Sequence, residues 1–173
     1  MKDALPLYTY PSIEFIENHI NNTMSVFEYG TGGSTFWWAK HVKRVVACDH
    51  SKRWYEKILT NEPQNVEAVH VELIYGGDYC RTAAQYPGEF DIIVVDGRDR
   101  NNVAQQLLPG LKPDGVIIWD NSDTERYKHG LEYIESLGYK RINFVGTGPY
   151  HLSESAWETC IFYKEDNCMG ISF

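Results

Sequence analysis

The chain has 173 residues, the length of one domain with room to bury a core. Its 43% hydrophobic and 23% charged content is that of a globular protein and excludes a disordered one. A formal net charge of −8 excludes the broad positive field by which a chain attracts nucleic acid or an anionic membrane. The one dense basic group, Lys40, Lys43 and Arg44, reads as a solvated turn.

Helical apolar spacing at Ile13, Phe15, Ile16 and Ile20 predicts an opening helix over Pro11 to Asn21. Ser25 to Tyr29 reads as a short strand, Ser34 to Lys40 as a helix, and Arg44 to Cys48 as a β-branched strand. Ser51 is placed to cap a helix running to about Thr60. The alternation Val66, Ala68, Val69, Val71, Leu73 predicts a third strand reaching Tyr75, with a short helix over Tyr79 to Gln85. Asp91 to Asp96 is a continuous apolar run between acids, suited to a strand buried on both faces. Asn102 to Leu111 reads as a helix, Gly115 to Asp120 as a fifth strand, and Thr124 to Leu137 as a helix with Gly138 past its end. Ile142 to Val145 and Glu158 to Tyr163 are the last strands, joined by the loop Gly146 to Ala156.

This alternation predicts a single-domain α/β fold. It is a doubly wound, mostly parallel seven-stranded sheet with helices on both faces and an antiparallel last strand. No internal repeat, low-complexity tract or linker interrupts it. The N-terminal residues lack the apolar core of a secretory signal, and no run approaches the ~20 apolar residues that span a bilayer. Cys48, Cys80, Cys160 and Cys168 form no C-x-x-C pair, so reduced thiols fit better than a disulfide framework or a zinc site. A cytoplasmic location is the resulting expectation.

In such sheets ligands bind outside the carboxyl ends of the strands, near the switch in strand order. The run Glu28-Tyr29-Gly30-Thr31-Gly32-Gly33-Ser34 lies there, with Asp49 19 residues after Gly30. Gly30 and Gly32 let a ligand approach the main chain. The helix from Ser34 aims free N–H groups at the same place, and Asp49 is positioned to accept from two ribose hydroxyls. A dinucleotide fingerprint wants glycine where Thr35 stands and an apolar residue at Glu28. The acid favours a ligand with a cationic or N–H-donating portion over a pyrophosphate.

The pattern Glu-x-Gly-x-Gly followed by an acid after the second strand resembles the class I S-adenosylmethionine-dependent methyltransferases, over nearly the whole chain. The resemblance implies the Rossmann-like fold of that family, with S-adenosylmethionine as cofactor. Glu28, Gly30, Gly32 and Ser34 would form the first cofactor loop, Asp49 would bind ribose, and Asp96 would lie beside the cofactor. Asp78 is similar to the family's adenine-proximal acid, with Tyr79 or His50 flanking the ring. Asp78 equally suits a helix cap.

Asp96, Asp120 and Asn121 end neighbouring strands, and two carboxylates with an amide oxygen are hard ligands for Mg²⁺ or another divalent cation. The set resembles the metal site of catechol-type O-methyltransferases. Asp99 stands where that family usually has a lysine base, and the alternative is that Asp96 only meets substrate or cofactor while Asp120 and Asn121 form a turn. His151, in the loop after the sixth strand, is either a base for the acceptor or simply exposed. One of Trp37 and Trp38 is expected in the core and the other toward the pocket. Tyr8, Tyr10 and Trp54 either cover the pocket or pack.

The resulting expectation is O-methylation of a small molecule, with Asp96 and His151 as catalytic groups. The partner is a small-molecule acceptor, with neither nucleic acid nor membrane, and a homo-oligomer is one way to complete so short a pocket. An NAD-dependent oxidoreductase and a non-catalytic cofactor-binding subunit are the rival readings.

Overall fold

The computed structural model describes residues 5–61, 63–149 and 155–172. Seven strands form one sheet: β1 (Ser25–Tyr29), β2 (Arg44–Asp49), β3 (Val66–His70), β4 (Phe90–Val95), β5 (Leu111–Asp120), β6 (Lys140–Gly146) and β7 (Trp157–Tyr163). Their order is β3-β2-β1-β4-β5-β7-β6. The first five are parallel, and β7 enters antiparallel between β5 and β6. This is the seven-stranded, doubly wound architecture that the alternation of elements predicts.

Among the described residues six helices cover the two faces: α1 (Tyr10–His19), α2 (Gly33–His41), α3 (Lys52–Asn61), α4 (Asp78–Arg81), α5 (Arg100–Gln106) and α6 (Lys128–Ser136). Strand side chains alternate between faces. Phe27, Tyr29, Ile93 and Val95 therefore join one core with Cys80, Val103 and Ile134 of α4, α5 and α6. Val26, Val45, Ile92 and Val94 join the other with Ile16, Trp38 and Ile58 of α1, α2 and α3. Both Trp37 and Trp38 belong to this second core, so neither tryptophan faces a pocket. Tyr8 is fully buried with them and its hydroxyl accepts from Trp38 Nε1 at 3.2 Å, whereas Tyr10 is exposed.

Several boundaries differ from the sequence reading for identifiable reasons. β3 stops at His70, opposite Asp49, because β2 ends there and offers no further ladder. Val71 N–H makes a last bond to the Asp49 carbonyl at 3.1 Å, and Val71 and Leu73 pack on the core, so their alternation reports burial beyond the end of the strand. α5 starts two residues early, at Arg100, because Asp99 adopts φ 53 and reverses the chain just before it. Leu111 leaves that helical region altogether and opens β5 opposite Phe90. A 3₁₀ turn at Glu125–Tyr127 precedes α6. Among the described residues no helix is long and apolar enough to cross a membrane.

The sheet order reverses between β1 and β4. Their ends stay bonded, with Asp96 N–H donating to the Tyr29 carbonyl at 3.1 Å, and the chains then part. Gly30 (φ 98) and Gly97 meet there backbone to backbone. A Cβ on Gly97 would lie 2.1 Å from the Tyr79 hydroxyl and 3.1 Å from Gly30 N. The crevice opens directly above this contact.

Candidate active site

A cleft of about 320 Å³ lies over the ends of β1, β2 and β4, lined by Gly30, Thr31, Ser34, Asp49, His50 and Asp96, with Trp54 and three arginines at its rim. The first loop is tied down by two acids. Asp49 accepts at one oxygen from the backbone N–H and the hydroxyl of Thr31, both at 2.8 Å, and at the other from Ser51 N–H at 2.7 Å. His50 Nδ1 lies 3.3 Å from the same second oxygen. Asp49 thus fixes the glycine loop as well as facing the cleft.

Glu28 lies beneath the loop, fully buried on the α2 side of the sheet. Thr35 donates its hydroxyl to Glu28 Oε2 at 2.5 Å and accepts from Gly32 N–H at 3.1 Å. The threonine that stands in place of a third glycine is therefore the link between loop and acid. Glu28 Oε1 is buried without a partner among the described residues. Burial raises the Glu28 pKa from 4.5 to about 8, against the lowering effect of hydrogen bonds from α2.

A second cleft, about 460 Å³, is lined by Asp96, Asp120, Asn121, Leu7, Ala156 and Trp157. Asp96 is common to both clefts. Asp120 Oδ1 accepts from Thr159 Oγ1 at 2.6 Å and Trp157 Nε1 at 3.0 Å. Burial raises the Asp120 pKa, and the nearby Asp96 charge adds to the rise. Asn121 adopts φ 53, a conformation that costs energy for a non-glycine residue and re-aims the chain at the end of β5.

Arg100 is the site residue that sequence reasoning missed. It is 5% exposed. Its Nη2 donates to the Asp96 carbonyl at 2.8 Å and to Asp96 Oδ1 at 3.0 Å, its Nε donates to the Gly97 carbonyl at 2.9 Å, and its Nη1 donates to the Asp120 carbonyl. The guanidinium also lies 4.6 Å from the centre of the Tyr127 ring. One side chain thus joins the ends of β4 and β5. The available signal was its position four residues after Asp96, at the start of the helix that follows β4.

The three residues expected to bind a metal do converge on one cleft, but the arrangement does not fit a divalent cation. Asp96 is already paired with the Arg100 cation and one Asp120 oxygen is taken by two donors. Among the described residues no three His, Cys, Asp or Glu side chains are grouped to hold a metal ion. Asp99 is a structural tie. Its oxygens accept from Gly76 N–H and Asn102 Nδ2, each at 2.7 Å.

Of the remaining candidates, His50 lines the first cleft, while Asp78 and Tyr79 do not. The Asp78 side chain is exposed and faces Arg81 at 3.7 Å in the first turn of α4, past the cap position held by Gly77. Tyr79 is buried against Tyr29, and its hydroxyl accepts from Arg98 N–H at 3.4 Å. Gly32 has an extended backbone that any residue adopts, and a Cβ there would meet no protein atom within 4 Å. His151 lies outside the described residues.

Comparison with known proteins places this geometry in context. Residues 27–122 match the family described as a methyltransferase domain, and no curated protein matches the chain. Among solved structures, precorrin-6y C5,15-methyltransferase from Geobacter metallireducens GS-15 is 15% identical with a TM-score of 0.65, covering 94% of this chain and 93% of that one. Spermidine synthase from Thermotoga maritima is 16% identical with a TM-score of 0.67 and covers 90% of this chain, which spans 57% of its length. SMU.1697c from Streptococcus mutans, solved in complex with SAH, is 12% identical with a TM-score of 0.60 and covers 89% of this chain and 96% of that one. At these identities the likeness is one of fold.

Proposed function

Because the chain belongs to the methyltransferase-domain family, we propose that it moves a methyl group from S-adenosylmethionine to an oxygen of a small-molecule acceptor. The observation that carries this reading is Asp96, which forms a wall of both clefts, one built from the glycine loop and Asp49 and the other from Asp120 and Trp157.

The donor set fits the cofactor. Gly30, Thr31, Ser34, Asp49 and His50 would hold its nucleoside portion, and Asp96 its other end. The buried, unpartnered Glu28 Oε1 beneath the loop and the open space at Gly32 both suit a ligand lying close to the main chain. When bound, S-adenosylmethionine supplies an electrophilic methyl group on a sulfonium centre.

The rest of the chemistry belongs to the chain. Holding two reactants in line removes much of the barrier to a displacement of this kind. Trp157, Leu7 and Ala156 wall the acceptor cleft with apolar surface. The acceptor hydroxyl proton has a nearby destination in Asp120, whose raised pKa makes its carboxylate a better base than an exposed one. Thr159 and Trp157 hold that carboxylate by Oδ1. No step passes through a metal ion.

Incubation with methyl-labelled S-adenosylmethionine and separate panels of phenols, alcohols, carboxylic acids and amines tests the proposal. Label is expected in a methyl ether or ester. Label confined to amines would move the reading to nitrogen. Binding of the cofactor product without label in any acceptor favours a non-catalytic subunit.

A further inference from the structure

We propose that Arg98 and Arg126 form an anion subsite at the edge of the cofactor cleft, taking a carboxylate or phosphate group. A third cleft of about 260 Å³ is lined by Tyr75, Asp99, Asn101, Asn102, Tyr127 and three arginines, and it shares Arg98, Arg100, Arg126 and Tyr127 with the cofactor cleft. The two therefore form one continuous trough. Beyond it on the other side lies the cleft of Asp96 and Asp120. The trough is acidic at one end and basic at the other.

The acids near the basic end are already satisfied. Asp99 spends both oxygens on Gly76 N–H and Asn102 Nδ2, Asp96 faces Arg100, and Glu125 faces Lys128 at 3.7 Å. The guanidinium of Arg100 is consumed by carbonyl oxygens and Asp96. Those of Arg98 and Arg126 form no ion pair among the described residues, although the chain carries a net charge of −8 and Arg44, Arg81, Arg141, Lys112 and Lys140 each have an acidic partner.

Both unpaired arginines are anchored at their bases. The Arg126 carbonyl accepts from Asn101 Nδ2 at 2.8 Å, and its guanidinium lies 4.7 Å from the centre of the Tyr127 ring. Arg100 lies 4.6 Å from the centre of the same ring. Arg98 is fixed through its N–H at the Tyr79 hydroxyl. Arg98 and Arg126 both line the two joined clefts, and a planar anion that accepts from both matches guanidinium geometry. Such an anion has two sources: the carboxylate of the cofactor itself, or an anionic group on a second ligand.

Calorimetric titrations of inorganic phosphate, S-adenosylhomocysteine and 5′-methylthioadenosine into the wild-type chain, R98Q, R126Q and the double variant test the subsite. Arginine Nε–Hε NMR signals are followed in parallel, and circular dichroism checks the fold. If the anion belongs to a second ligand, phosphate shifts the Arg98 and Arg126 signals with S-adenosylhomocysteine bound. The double variant then binds phosphate at least tenfold more weakly and S-adenosylhomocysteine within threefold of wild type. If the anion is the cofactor's own, the double variant loses at least tenfold in S-adenosylhomocysteine affinity. Its affinity for 5′-methylthioadenosine, which has no carboxylate, is then unchanged. Unmoved arginine signals together with unchanged affinities in the folded double variant overturn the subsite. Failure of both nucleosides to bind the wild-type chain, with arginine-dependent phosphate binding intact, overturns the cofactor reading and leaves the subsite standing.

Discussion

Arg100 grips Asp96 twice, at the backbone carbonyl from 2.8 Å and at Oδ1 from 3.0 Å, through the same Nη2. Among the described residues the grip holds the one that both clefts share, and the rest of the guanidinium reaches the carbonyls of Gly97 and Asp120. An internal cation thus supplies the positive charge that the pattern Asp96, Asp120, Asn121 had suggested for a metal ion. Replacing Arg100 by Met leaves the Asp96 carboxylate without its counter-charge and three carbonyls without this donor. A loss of about 3 kcal/mol is expected, the lower end of the range for breaking a buried pair because Asp96 retains some exposure. Arg100→Lys keeps the charge but not the fork, and is expected to recover only part of the loss. Denaturant midpoints of the three proteins check this, and equal midpoints for Met and wild type would contradict it.

The buried Glu28 makes stability depend on pH with a sign opposite to that of most carboxylates. Its folded pKa of about 8 exceeds the ordinary 4.5, so between these values the folded state holds a proton that the unfolded state releases. Its contribution is fully present below pH 4.5 and is lost as the pH rises through about 8, with a slope of up to ~1.4 kcal/mol per pH unit. Glu28→Gln removes the titration. Urea unfolding from pH 5 to 8 is expected to show wild type losing stability relative to the variant, and parallel curves would contradict the assignment.

Thr35 joins Gly32 N–H to Glu28 Oε2, so Thr35→Val removes a donor and an acceptor at one stroke. A cost of about 1–3 kcal/mol is expected because the fully buried carboxyl then loses the hydroxyl that donates to its Oε2. Thr35→Ser keeps the hydroxyl and is expected to stay close to wild type. The comparison of melting temperatures across the three proteins reads the hydroxyl's contribution apart from the methyl group's.

Asp49 holds Thr31 and Ser51 by their N–H groups and faces the cofactor cleft. Asp49→Ala is expected to weaken S-adenosylhomocysteine binding by about 1–3 kcal/mol, through loss of a charged acceptor and of the loop's anchor. Asp49→Asn keeps one acceptor oxygen and is expected to fall between. Unchanged affinity in the Ala variant would place the cofactor elsewhere.

The fold was legible because each central strand is an apolar run bounded by chain-reversing residues, and β1, β2 and β4 sit within one residue of their predicted bounds. The glycine loop and Asp49 were legible from spacing alone. What escaped depends on conformation or on distant partners. The left-handed conformation of Asp99 was not read from the sequence, and it sets where α5 begins and hence where Arg100 stands. One of Trp37 and Trp38, and Tyr79, looked available for a ligand. Packing claims them, since aromatic residues beside a glycine turn are also the largest pieces available to fill the core beneath it. Asp78 resembled a binding acid by position, yet β3 ends too early to carry it to the cleft.

Calorimetric titration of S-adenosylhomocysteine and, separately, NADH into the wild-type chain tests the central claim most directly. The predicted result is one-site binding of S-adenosylhomocysteine that weakens in Asp49→Ala, with no heat from NADH. Saturable binding of NADH with none of S-adenosylhomocysteine would contradict the account.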